Sequence, residues 1–102
     1  TLTLDYTHFT SQGFSDDECE ALVPYASHFH ARGSRAGRLQ APLKDNTIDY
    51  PRVLKAMERA NYPGYVGVEY VWIDWEHCNE VDNLSETVLL RDHLRQALAK
   101  VT

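Results

Sequence analysis

Asp5, His30 and Glu69 are the side chains whose types and positions best suit chemistry. Carboxylate oxygens and an imidazole nitrogen are the donors that Mn²⁺, Co²⁺, Zn²⁺ or Mg²⁺ accept. Asp5 falls at the end of one strand-like segment, His30 near the end of a second, and Glu69 on a third. In α/β proteins, ligand and catalytic groups gather at the carboxyl ends of parallel strands, where neighbouring strands aim side chains at one point. By alternation Glu69 shares a face with Gly67 and Val71, where a carboxylate needs a metal or a cationic partner to offset its burial.

Each of these residues also has a plainer role open to it. Asp5 before a turn can cap that turn, His28 and His30 can be half-buried strand residues, and Glu69 can pair with Arg32 or Arg35. Around them lie His8, three residues past Asp5, and the loop arginines Arg32, Arg35 and Arg38. Guanidinium groups there would suit hydroxyls, a carboxylate or a phosphate, or would simply be solvated loop charge. Trp72 and Trp75 could wall a sugar pocket or pack conventionally. His77, Cys78 and His93 read as structural or surface residues, since adjacent loop residues such as His77 and Cys78 rarely face each other.

The elements that must position these groups follow from periodicity. Residues 1–6 alternate as a strand with Leu2 and Leu4 on one face. Gly13 interrupts, and Ser15 with Glu18 forms a capping-box signature for a helix through about Val23, closed by Pro24. Residues 26–32 read as a second strand, and residues 33–48 as a long Gly-, Pro- and polar-rich loop of the kind that is often functional. Asp49 caps the next helix, with Pro51 in its first turn and Val53, Leu54, Met57 and Ala60 as its buried stripe. NYPG at 61–64 is a stop, and 64–72 is the strongest strand in the sequence. After a polar loop, Asn83 and Glu86 suggest a capping box for a last helix whose Leu90, Leu94, Ala97, Leu98 and Val101 recur at helical spacing.

Strand and helix alternate three times, which predicts an α/β architecture of parallel strands. Three parallel strands leave two edges and much of both faces uncovered. The expectation is therefore a partial (β/α) barrel of three βα units in a single domain over 1–102, completed by self-association or standing as a truncated fragment. The opening TLTLDY, already strand-like and without Met, reads as a chain entered partway through.

Composition narrows the functional classes. The chain of 102 residues is 43% hydrophobic and 25% charged, an ordinary globular mix. A net charge of -5 with scattered Lys and Arg argues against a nucleic-acid surface. No apolar run approaches the ~18 residues that span a membrane, and no signal-peptide pattern opens the chain. Two isolated cysteines, Cys19 and Cys78, make no disulfide framework, so a cytoplasmic setting is expected.

The series LTLDYTHF, ASHFHARG and TIDYPRVLKAMERANYPGYVGVEY resembles the last three βα units of the xylose-isomerase-like TIM-barrel superfamily of sugar-phosphate isomerases and epimerases. The most specific stretch, ID-[FY]-x-x-[VL]-L through Y-x-G-[YF]-x-x-x-E, covers residues 48–69. The resemblance implies one divalent-metal site whose Asp, His and final Glu ligands match Asp5, His30 and Glu69. His8 matches a substrate-contacting histidine, and Arg35 is the nearest match, at a different offset, to a substrate-binding arginine. The first Glu ligand of that family has no counterpart here, and a full barrel takes eight strands and ~250 residues.

What the resemblance implies is an isomerase or epimerase acting on a small ketose, aldose or sugar phosphate. Glu69 would move a proton through an enediolate beside a metal-polarised carbonyl. With one glutamate of two, little turnover is expected of this chain alone. Two other readings stand beside it. One is a non-catalytic, homo-oligomeric metal- or sugar-binding module; the other, disfavoured by the acidic balance, is an endonuclease-IV-like DNA-repair protein.

Overall fold

The first strand, β1 (Leu2–Asp5), stops because Asp5 turns the chain directly into a helix. Its backbone is extended (φ -133, ψ 105) and its side chain accepts from the Thr7 N–H, so Asp5 caps α1 (Tyr6–Thr10). In the computed structural model, which describes residues 2–73, 75 and 77–101, the chain continues through α2 (Asp16–Glu20), β2 (Ala26–Ala31), α3 (Tyr50–Arg59), β3 (Val66–Val68) and α4 (Asn83–Val101). Short 3-10 turns at Val23–Tyr25, Leu43–Asp45 and Cys78–Glu80 link them.

The alternation of strands and helices is as expected, and the three strands form one parallel sheet in the order β1-β2-β3. The sheet is not closed into a barrel. Helix α1, where the sequence suggested only a turn, follows from the Asp5 cap. The capping box of α2 forms as read: the Glu18 N–H donates to Ser15 Oγ at 3.3 Å and the Ser15 N–H to Glu18 Oε1 at 3.1 Å. That helix ends at Glu20 rather than Val23, which opens the 3-10 turn containing Pro24.

Two boundaries differ for reasons the side chains make plain. The expected strand at 64–72 is ordered as a ladder only over Val66–Val68, with one further bond from the Glu69 N–H to the Ala31 carbonyl at 2.9 Å. Beyond it Tyr70 and Val71 pair with the 33–48 loop instead of a strand. The cap of α4 is Asp82, whose carboxylate accepts from the Ser85 N–H at 3.1 Å and from its hydroxyl at 2.9 Å. Asn83 and Glu86, expected as the capping pair, serve the loop: Glu86 Oε1 accepts from the Leu43 N–H at 2.6 Å.

In the sheet, Leu4, Phe29 and Ala31 point to one face and are buried. They join Tyr50, Val53, Leu54 and Met57 of α3 and Leu90, Leu94 and Ala97 of α4 in one apolar cluster. The opposite face carries Thr3, His28 and Gly67, all exposed. Helix α2 is tied to α3 by charge: Arg52 pairs with Asp17 and with Glu20, the latter at 2.6 Å, and Arg59 meets Glu20 at 3.4 Å.

Residues 33–48, read as a loop, are pinned at both ends. The Ala41 N–H donates to the Gly33 carbonyl at 2.8 Å, and the Thr47 N–H to the Ser34 carbonyl at 2.9 Å. Gly33 admits no side chain, because a Cβ there would lie 2.2 Å from the Ala41 carbonyl oxygen. Among the described residues no helix is long and apolar enough to cross a membrane.

Burial sets a pH response. Cys19, 1% exposed, has its thiol pushed up from 9.0 to about 11, first by burial and then by Asp16 and Glu18. Burial likewise raises Tyr70 from 10.0 to about 12, and raises Tyr6 and Tyr50 further. Because the unfolded chain loses these protons first, their stabilising contribution is complete below pH about 9 and is lost as pH rises through the folded-state values. Urea denaturation should show a falling midpoint across that range, Cys19 alone accounting for roughly 2–3 kcal/mol. Cys19→Ala should flatten the early part of the fall, and an unchanged midpoint up to pH ~11 would contradict this burial account.

Candidate metal centre

Parallel register brings the expected ligands together. Asp5 of β1 pairs with His30 of β2, and His30 with Gly67 of β3, so the three positions form one row across the sheet. Glu69 lies two residues past Gly67 on the same face and reaches back, its Oε2 3.1 Å from His30 Nδ1. One donor atom from each of Asp5, His30 and Glu69 lies within 4.8 Å of the other two. Gly67 leaves the row uncrowded, since even an added Cβ would come no nearer than 3.6 Å to the His30 ring.

The Asp5 carboxylate, 6% exposed, is divided between two tasks. Oδ1 accepts from the Thr7 N–H at 2.9 Å and the Thr7 hydroxyl at 2.5 Å, the capping role. Oδ2 faces Arg32 Nη2 at 3.3 Å and His8 Nε2 at 3.7 Å. The cap and the ligand roles are thus compatible in one side chain.

The sequence places Arg32 at the substrate; in the structure its side chain is 2% exposed and each of its three nitrogens donates inside the protein. Nε donates to Thr7 Oγ1 at 3.0 Å, Nη1 to Gln40 Oε1 at 3.3 Å, and Nη2 to Asp5. The Tyr50 hydroxyl closes both ends of the Arg32 peptide, accepting from its N–H at 3.0 Å and donating to its carbonyl at 2.7 Å. Arg32 therefore offsets the buried Asp5 charge, while the partner of Glu69 is His30 rather than Arg32 or Arg35.

His8, in the last turn of α1, is 60% exposed beside Asp5 and 3.5 Å from Arg32 Nη2. It also lines a cleft of about 370 Å³ with Ser11, Gln12, Gly37 and Leu39. Arg35 is exposed on a tight turn closed by backbone bonds with Arg38. Among the described residues, no hydrogen bond or ion pair joins Arg35 to the cluster. Arg38 pairs with Glu80 at 3.2 Å. Trp72 and Trp75 are 71% and 81% exposed. A groove of about 590 Å³ lies elsewhere, between α3, β3 and α4, and shares no residue with the cluster.

Gln40 is the polar residue that sequence reading missed. It is 2% exposed and sits in a stretch without periodicity, where the available signal was an uncharged amide beside the apolar Leu39 and Ala41.

The donor set suits a divalent ion: two carboxylates and an imidazole, with the second lone pair of Asp5 Oδ2 not consumed by its one close donor. No family model matches the chain, and neither curated proteins nor solved structures give a match.

Removing one partner of a buried pair leaves the other charge uncompensated, which costs about 3–5 kcal/mol, against about 0–1 for an exposed pair. Arg32→Leu should therefore lose about 3–5 kcal/mol of unfolding free energy. The double variant Asp5→Asn/Arg32→Leu should be more stable than the two single losses predict when added. Strict additivity in a denaturant series would show that Arg32 and Asp5 do not interact.

Proposed function

We propose that this chain is a set of βα units from a metal-dependent sugar isomerase or epimerase, a partial (β/α) barrel whose metal ligands are Asp5, His30 and Glu69. The observation that carries the reading is the convergence of those three donors, within 4.8 Å of one another, at the carboxyl ends of three parallel strands. A divalent ion, when bound, would supply positive charge to hold adjacent sugar oxygens and polarise a carbonyl.

The chain's own residues do the rest. Glu69, 38% exposed, is the carboxylate open to solvent and the one suited to take and return a proton beside a sugar carbonyl. His30 orients it through their 3.1 Å contact. His8, exposed at the cluster's rim beside Asp5, would meet a substrate hydroxyl. Arg35 offers an exposed guanidinium to a phosphate or hydroxyl, whereas Arg32 acts by holding Asp5. A cytoplasmic setting belongs to the same reading. The family's fourth ligand, a glutamate from an earlier strand, must come from outside these elements.

Calorimetric titration with Mn²⁺ and Zn²⁺ tests this directly. One saturable site is expected, abolished by Asp5→Ala and by Glu69→Gln. Heat no larger than dilution for the unmodified chain would remove the metal reading. Where a ketose screen finds turnover, Glu69→Gln should abolish it.

A second reading, a non-catalytic oligomeric module, is favoured by a different observation. The ligand-bearing face exposes Thr3, His28 and Gly67, and β1 and β3 are both edge strands. Free strand edges favour self-association. On this reading sedimentation equilibrium at micromolar concentration gives a homo-oligomer. A strictly monomeric mass rules it out.

A further inference from the structure

The polar core between the sheet's carboxyl end and α4 is organised around one side-chain amide. Gln40 Oε1 accepts from Arg32 Nη1 at 3.3 Å and from the Val71 N–H at 2.9 Å. Its Nε2 donates to the Val71 carbonyl at 3.0 Å, to Asn83 Oδ1 at 2.7 Å and to the Cys78 carbonyl at 3.3 Å. A guanidinium only donates, so the atom facing Arg32 is necessarily the oxygen, and the rest of the pattern follows.

Two of these contacts lead to the candidate metal centre by separate routes. Arg32, held on one side by Gln40, holds Asp5 on the other at 3.3 Å. Val71, whose N–H and carbonyl are both engaged by the Gln40 amide as a neighbouring strand would engage them, lies two residues past Glu69. Asn83, at the start of α4, steadies the arrangement by donating from Nδ2 to the Val71 carbonyl at 2.9 Å. β3 ends at Val68, so the Glu69 segment has one ladder bond of its own and is held beyond it by Gln40 and Asn83 at Val71 and by the Tyr70 hydroxyl at Gly33 and Ala41.

We infer that Gln40 is a positioning residue that sets the separation between Asp5 and Glu69 in the candidate metal centre. The inference rests on the metal reading above and adds to it a residue that touches none of the ligands. Partners that orient metal ligands typically cost about 10- to 100-fold in affinity when removed, and a Gln40 change should fall in that range.

The experiment is Mn²⁺ and Zn²⁺ titration of the unmodified chain, Gln40→Leu, Gln40→Glu and a core control, Leu90→Ala, under conditions where each is folded by circular dichroism. Gln40→Glu keeps an acceptor for Arg32 and Val71 but loses the amide donors, so it remains informative if Gln40→Leu fails to fold. The expected result is binding weakened about 10- to 100-fold in the Gln40 variants, with an altered Mn²⁺-to-Zn²⁺ affinity ratio, and unchanged in Leu90→Ala. Unchanged affinity in a folded Gln40 variant overturns the positioning role while leaving the metal site standing. Equal weakening in Leu90→Ala also overturns it, by showing that loss of stability alone accounts for the effect. No binding by the unmodified chain overturns the metal reading itself.

Discussion

A guanidinium with 2% of its surface exposed must be met by acceptors, and the need to satisfy Arg32 organises this molecule. Each of its three nitrogens reaches a different part of the chain: Thr7 in α1, Asp5 at the end of β1, and Gln40 in the long loop. Its peptide group is closed by Tyr50 of α3. One residue thereby fastens the first strand, the first helix, the loop and the third helix around the end of β2. Exposed pairs such as Arg91 with Asp92 add little by comparison, since solvent screens them and two flexible side chains must be ordered.

This arrangement also explains how a carboxylate can be buried. Asp5 spends one oxygen on capping α1 and keeps the other toward Arg32, His8 and the open sheet face. Its charge is offset from within the protein, while Glu69 and His30 meet at 3.1 Å nearer to solvent. The three side chains are thus held in a row by strand register.

The sequence displayed some of this and concealed the rest. Asp5, His30 and Glu69 were legible because period-2 alternation and parallel pairing together determine which strand-end side chains meet. Arg32 was legible as a cation near the site but not as a buried one, because its depth depends on Gln40 in the loop and Tyr50 on the third helix. Gln40 lies in a segment where no periodicity marks burial. The cap of α4 was misplaced by one residue because Asp82 and Asn83 are both good cap formers, and only tertiary contacts assign Asn83 elsewhere. The short extent of β3 was hidden for a similar reason: Tyr70 and Val71 look like strand residues and are recruited by the loop.

The loop from Gly33 to Thr47 is fastened near its base, by Gly33 to Ala41 and Ser34 to Thr47, with the Tyr70 hydroxyl seated between Gly33 and Ala41. Its exposed tip, the Arg35 to Arg38 turn, lies outside those fastenings. Closing a longer loop over the same base costs only about 0.6 kcal/mol for each doubling of its length. The turn nevertheless has ties of its own, the Gly37 N–H donating to the Ser11 carbonyl at 2.9 Å and Arg38 meeting Glu80 at 3.2 Å, so extra length is tolerated most cheaply where those two contacts are kept.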